Sequence, residues 1–152
     1  MVLDNLRSVY NVGSIFRTAE TAGCWEVVTC GVTAHPPHPK LKKTAFSAHD
    51  DVATRHVGST LAAVRELQAA GVTVLAMETT SRSKSYASLS FPQEAGVALV
   101  LGNEVTGVDT RVMSACDDII QIPTFGKKNS LNVAAACPVV VFEVLRQWGK
   151  LA

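Results

Sequence analysis

Residues 97–102 read V-A-L-V-L-G, five apolar side chains in succession closed by a glycine. A continuous apolar run of this length is what a strand covered on both faces requires, and strands of that kind belong to parallel sheets with helices above and below. Upstream, Val72 to Met77 is a β-branched strand following Gly71, which ends a helix that Ser59 caps and whose apolar face is Leu61, Val64 and Leu67. Downstream, a short helix over Thr110 to Cys116 leads to a strand over Asp118 to Ile122. Strand-like and helix-like apolar periods alternate along the chain, which predicts an α/β fold with a mainly parallel sheet flanked by helices.

The first half fits the same scheme. A short strand at Val2 and Leu3 precedes a helix with Val12, Ile15, Phe16, Ala19 and Ala22 on one face, Asn11 as the expected N-cap and Gly23 as the stop. Trp25 to Cys30 reads as a strand, followed by a proline-rich loop, a helix over Lys40 to Ala48 and a strand over Val52 to Val57. Glu78 to Ser90 holds two threonines and five serines and reads as a mobile loop suited to a lid. The last helix carries Leu131, Ala134, Pro138, Val141, Phe142, Leu145 and Trp148 on one side, yet Val139, Val140 and Val144 make other sides apolar too. A terminal helix of that kind needs burial on more than one side, so a homodimer through it is expected. Pro138 removes a backbone bond within it.

At 152 residues and 47% hydrophobic content the chain has the length of one domain with a sizeable core. It contains no apolar run long enough to span a membrane and no leader-like start, so a cytoplasmic protein is expected. The cysteines at 24, 30, 116 and 137 form no C-x-x-C pair and read as reduced core thiols. His35 and His38 flank Pro36 and Pro37, but no Cys or carboxylate stands at ligand spacing, so no metal site is expected. With 14 Lys and Arg against 13 Asp and Glu, the net charge of +1 excludes nucleic-acid binding by bulk charge alone. Any such contact must come from patches: Lys40, Lys42 and Lys43, Arg82 and Lys84, or Lys127 and Lys128.

There is no G-x-G-x-x-G after the first strand and no G-x-x-x-x-G-K-[ST], so the phosphate cradles of dinucleotide and nucleoside-triphosphate sites are missing. Three blocks remain. Asp4 to Gly23 reads D-N-L-R-S-V-Y-N-V-G-S-I-F-R-T-A-E-T-A-G, and Leu99 to Asp109 reads L-V-L-G-N-E-V-T-G-V-D. Ile122 to Ala136 reads I-P-T-F-G-K-K-N-S-L-N-V-A-A-A: a strand end, a proline stop, a glycine and lysine loop, then polar residues opening an apolar helix. With these blocks in this order the chain resembles, over essentially its whole length, the SpoU (TrmH) branch of the SPOUT RNA methyltransferases.

The resemblance implies a C-terminal deep trefoil knot, which connection rules for ordinary folds would not predict. It implies S-adenosylmethionine as cofactor and methyl transfer to a ribose 2′-hydroxyl of RNA. Asn11, Arg17, Glu104, Ser130 and Asn132 match the family's catalytic set; Thr79, Leu101, Gly102, Ile122, Ser130 and Leu131 match its cofactor contacts; Arg7, Lys127 and Lys128 would meet RNA. Arg17 is the residue on which catalysis is expected to depend, as a clamp for the phosphate beside the reacting ribose. Glu104 is expected to fix Arg17 or a loop amide. Residues 1–152 read as a single catalytic domain without a separate N-terminal RNA-binding domain, which favours tRNA over rRNA; a longer protein with this chain as one domain fits equally. The alternative is a catalytically inactive RNA-binding or assembly factor on the same fold.

Overall fold

The computed structural model describes residues 1–151. Seven strands form one sheet in the order β3-β2-β1-β6-β4-β7-β5, and every neighbouring pair is parallel. The strands are β1 (Val2–Asp4), β2 (Glu26–Cys30), β3 (Ala53–Val57), β4 (Thr73–Met77), β5 (Lys84–Ser85), β6 (Val97–Leu101) and β7 (Asp118–Gln121). The helices are α1 (Val9–Thr21), α2 (Pro39–Ala45), α3 (Ala48–Asp51), α4 (Thr60–Ala69), α5 (Thr110–Ala115) and α6 (Val133–Gln147).

The run that opened the sequence reading is β6, and its alternation divides two cores. Leu99 and Leu101 face the layer that holds Ile15 and Phe16 of α1, Leu41 of α2 and Cys137, Val140 and Val144 of α6. Ala98 and Val100 face the layer that holds Ala63 and Val64 of α4 and Val112 of α5. Apolar contact on both sides is why the strand shows no polar alternation.

Ser8, not Asn11, caps α1: its hydroxyl accepts from the Asn11 N–H at 3.3 Å, which places Asn11 in the first turn. Gly23, at φ 64, closes the helix in the left-handed region where a side chain would be strained. The single helix expected over Lys40 to Ala48 is two, because Phe46 and Ser47 are both left-handed (φ 50 and 65) and no α-helix continues through such residues. Trp25 is 92% exposed and stands ahead of β2 rather than in it.

The serine-rich segment is not a free lid. Lys84 and Ser85 pair with β7, a 3-10 turn follows at Tyr86–Ser88, and the Ser83 hydroxyl donates to the Glu78 carbonyl at 2.7 Å. Beyond it, Gln147 of α6 donates to the Leu89 carbonyl and accepts from the Phe91 N–H, while the Trp148 ring N–H donates to the Phe91 carbonyl. α6 begins at Val133 with Asn132 as its cap, so Leu131 lies outside the helix. One side of α6 is buried in the chain's own core, whereas Val139 and Phe142 are 37% and 36% exposed. Among the described residues no helix is long and apolar enough to cross a membrane, and no cluster of His, Cys, Asp and Glu could hold a metal. His35 instead stacks on His56, and His38 caps α2.

Candidate functional site

Parallel register brings the carboxyl ends of three strands together: Met77 of β4 lies beside Leu101 of β6 and Ile120 of β7. Open α/β sheets bind ligands at such strand ends. A pocket of about 280 Å³ opens here, bounded by the segments after β4, β6 and β7 and by the start of α6. All six sequence-predicted cofactor residues line it: Thr79, Leu101, Gly102, Ile122, Ser130 and Leu131.

The loop after β6 is held against its own strand. A Cβ at Gly102 would lie 2.3 Å from the Val108 nitrogen and 2.5 Å from the Gly107 carbonyl carbon, so only glycine permits this approach. Asn103 and Gly107 exchange backbone hydrogen bonds at 3.2 and 2.9 Å, and the Asn103 side-chain amide donates to the Asn5 carbonyl at 2.7 Å. That closure projects Glu104 across to α1. The Glu104 carboxylate accepts from the Arg7 N–H at 2.8 Å, the Ser8 N–H at 2.9 Å and the Asn11 side-chain amide at 2.9 Å. Partial burial acts to raise its pKa, but the donors at Arg7, Asn11 and Ser8 outweigh it and hold the carboxyl below its ordinary value. It is therefore ionised at neutral pH and a weak base. The acceptor role expected of Glu104 is met by loop amides and not by Arg17.

Asn11 passes the connection on: its side-chain oxygen accepts from the Asn132 amide at 3.2 Å, while the Asn132 oxygen accepts from the N–H groups of Ala134 and Ala135. Glu104, Asn11 and Asn132 thus form one hydrogen-bonded row joining the three sequence blocks, and Glu104, Ser130 and Asn132 border the pocket. Arg17 is the exception. It is exposed and its guanidinium lies over the Phe46 ring, 4.9 Å from the centroid, away from the pocket of its own chain. Arg7, Lys127 and Lys128 are exposed, Arg7 on the approach to α1 and the two lysines in the loop before α6.

Glu78 lines the pocket and escaped the sequence reading. Its carboxylate accepts from the Thr79 N–H at 2.8 Å and the Val108 N–H at 3.1 Å, tying the β4 end to the β6 loop. The available signal was its position, directly after a buried strand that neighbours β6. Opposite it, Thr124 to Leu131 make no hydrogen bond within the chain among the described residues, so backbone donors and acceptors of this loop are free for a ligand. Apolar walls from Met77, Leu101 and Ile120, free amides and two carboxylates suit a flat heteroaromatic group bearing nearby positive charge.

The profile of the SpoU rRNA Methylase family matches residues 1–142. The 23S rRNA (guanosine-2'-O-)-methyltransferase RlmB of Vibrio cholerae is 31% identical over 147 residues, covering 97% of this chain and 58% of its own length. The chain thus spans just over half of the curated relatives it matches. An AdoMet-bound rRNA methyltransferase structure from Sinorhizobium meliloti is 28% identical with a TM-score of 0.87, over 95% of this chain and 54% of that one. A structure concerned with 2-OH methylation of C/U34 on tRNA is 28% identical with a TM-score of 0.84, over 97% of this chain and 94% of that one. A family profile covering all three blocks, on a sheet that superposes along nearly its whole length, settles the membership: the chain belongs to the SpoU rRNA methylase family.

Proposed function

We propose that the chain transfers a methyl group from S-adenosylmethionine to a ribose 2′-hydroxyl of RNA. The observation that carries this reading is the Glu104–Asn11–Asn132 row at the rim of a pocket whose walls suit the cofactor. In this reading the backbone of Gly102, Ile122 and Leu131 holds the adenosine, Thr79 adds a polar contact, and the carboxylates of Glu78 and Glu104 favour the cofactor's cationic centres. Bound there, S-adenosylmethionine supplies a methyl group on a good leaving group. The chain's own task is to place a ribose oxygen in line behind it and to exclude water.

Ser130 and Asn132 line the ribose side of the pocket, with the Asn132 amide oriented by Asn11 and, through it, by Glu104. Arg17 clamps an RNA phosphate. Because it stands apart from its own pocket, the site it serves is completed by a second copy of the chain, packed through the exposed Val139 and Phe142 of α6. Residues 1–152 act as one catalytic domain, and the segment between β7 and α6 is threaded in a trefoil knot, a reading supported by the family resemblance. Sedimentation tests the dimer. Single-molecule extension tests the knot, which leaves a contour shorter than the residue count allows.

The substrates named for similar proteins include 23S rRNA and C/U34 of tRNA. The Vibrio relative gives the expected tRNA preference no support. Methyl transfer from isotopically labelled S-adenosylmethionine into bulk tRNA and 23S rRNA, with mass spectrometry of the digested nucleosides, tests reaction and substrate together. Label on a ribose 2′-oxygen is expected. Label on a base overturns the chemistry, and no label with cofactor bound turns the assignment to the non-catalytic RNA-binding alternative.

A further inference from the structure

Apart from Arg17, the α1–α2 crossing carries surface features that the proposed methyl transfer leaves unused. Phe46 and Ser47 adopt left-handed backbone in succession, at φ 50 and 65, a costly arrangement for residues other than glycine. Its result is that an aromatic ring points outward: Phe46 is 75% exposed even with the Arg17 guanidinium over one face. The underlying scaffold is rigid. The Thr44 hydroxyl donates to the Val9 carbonyl at 3.1 Å, and the helices are so close that a Cβ on Gly13 would lie 2.3 Å from the Thr44 oxygen. Around this crossing Lys40, Lys43 and Arg17 are exposed and enter no ion pair among the described residues. Glu20 on α1 and Asp50 and Asp51 on α3 mark the acidic edge of the patch.

We propose that this patch binds the single-stranded RNA flanking the methylated nucleotide, with one base stacked on the open face of Phe46 and phosphates held by Arg17, Lys40 and Lys43. The inference rests on the RNA methylation reading. Exposed aromatic faces beside cations are how single strands are gripped without a sequence code, because every base has a face to stack. The exposed surface continues along α1. Tyr10, which is 77% exposed, Ser14 and Arg17 share one stripe of α1 at i, i+4 and i+7, beginning beside Asn11. At ~1.5 Å per residue the stripe is about 10 Å long, the span of roughly three stacked nucleotides at ~3.4 Å each. The patch therefore grips the neighbours of the target and gives Arg17 a base-stacked frame in which to hold its phosphate.

The test is fluorescence anisotropy with a fluorescein-labelled single-stranded oligouridine RNA, without cofactor, across a salt series. Phe46→Ala and Phe46→Leu are expected to weaken binding about fivefold or more, the lower end of what one lost base stack costs, with Phe46→Tyr staying within about twofold of the parent. Lys40→Ala with Lys43→Ala is expected to flatten the salt dependence by ~0.7 per lost phosphate contact. Should Phe46→Ala fail to fold, Phe46→Leu and the lysine pair carry the test. Unchanged affinity in folded Phe46→Ala or Phe46→Leu overturns the proposal. So does a switch from dimer to monomer in sedimentation, which would make the patch a contact between copies. Binding through Phe46 without methyl transfer would overturn the enzymatic reading and keep this one; methyl transfer with an unchanged RNA KM in folded Phe46→Leu would do the reverse.

Discussion

Replacing Gly102 by alanine adds one methyl group at the point where the β6 end meets its own loop. The new Cβ would sit 2.3 Å from the Val108 nitrogen, whereas ordinary contact begins at 3.4 Å, so the Gly107–Val108 peptide must retreat by 3.4 − 2.3 = 1.1 Å. Three bonds oppose that movement: the paired Asn103 and Gly107 backbone contacts and the Val108 N–H donated to Glu78 at 3.1 Å. Val108 is itself buried. Overpacking of this kind costs about 1–3 kcal/mol, and at ~2–4 °C per kcal/mol for a chain of this size Tm should fall by about 2–12 °C.

Function should suffer more than stability. The displaced loop carries Asn103 and Glu104, and a misplacement of about 1 Å in a positioning element costs on the order of 100-fold in rate. Calorimetric titration with S-adenosylmethionine, kcat/KM for methyl transfer and a thermal melt on the same sample separate the two effects. Gly13→Ala is the control: its Cβ would lie 2.3 Å from the Thr44 hydroxyl oxygen, a comparable clash that is remote from the pocket. It should lower Tm and leave cofactor affinity intact. A Gly102→Ala enzyme with cofactor affinity and turnover within threefold of the parent would refute the claim that this close approach shapes the pocket.

Arg17→Ala should nearly abolish methylation while cofactor affinity stays close to the parent value, because Arg17 lies outside the pocket of its own chain; near-normal turnover would remove it from the mechanism. Glu104 has a folded pKa below its ordinary value, so its contribution to stability is complete above the unfolded pKa of about 4.5 and is lost as pH falls through the folded value. Melts of the parent and Glu104→Gln should therefore converge as pH drops below that of a free carboxyl, and a constant gap would contradict the hydrogen-bond assignment. Burial pushes Cys30 up to about 11 and Cys116 and Cys137 up to about 12, so these thiols should resist a thiol-titrating reagent at pH 8 until the chain is unfolded. Gln147→Ala should release Leu89 and Phe91, seen as faster amide hydrogen exchange at Phe91 with little change in the sheet.

The elements legible in the sequence were those whose side chains repeat the geometry of burial. β6 was visible because both of its faces are covered, and α1 because Val12, Ile15, Phe16 and Ala19 recur at helical spacing toward one core. What escaped the pattern depends on contacts distant in sequence. The helix over Lys40 to Ala48 breaks at Phe46 and Ser47, neither of which announces left-handed backbone as glycine would. Serine-rich composition suggested a mobile loop, yet Lys84 and Ser85 are fixed by β7, some thirty-five residues later in the chain, with Lys84 also paired to Asp118.

The candidate site was legible for a different reason: the blocks named Glu104, Ser130 and Asn132, which meet at one pocket, but not what holds them. Asn11 looks like a helix cap, and its proximity to Asn132 follows only once β1 and β6 lie side by side and the chain returns through β7. The same return explains why the polar residues before α6 are partly structural and partly free. Asn132 spends its oxygen on the N–H groups of Ala134 and Ala135 and its amide on Asn11, so it can tilt neither way, while Ser130, two residues earlier, has no partner among the described residues. In the proposed reaction the fixed amide and the unspent hydroxyl together orient the ribose. It follows that Asn132→Ala should damage both helix start and turnover, whereas Ser130→Ala should leave Tm within about a degree of the parent, as surface substitutions do, and act on the methylation rate. Equal loss of Tm in the two variants would show that both side chains serve the helix.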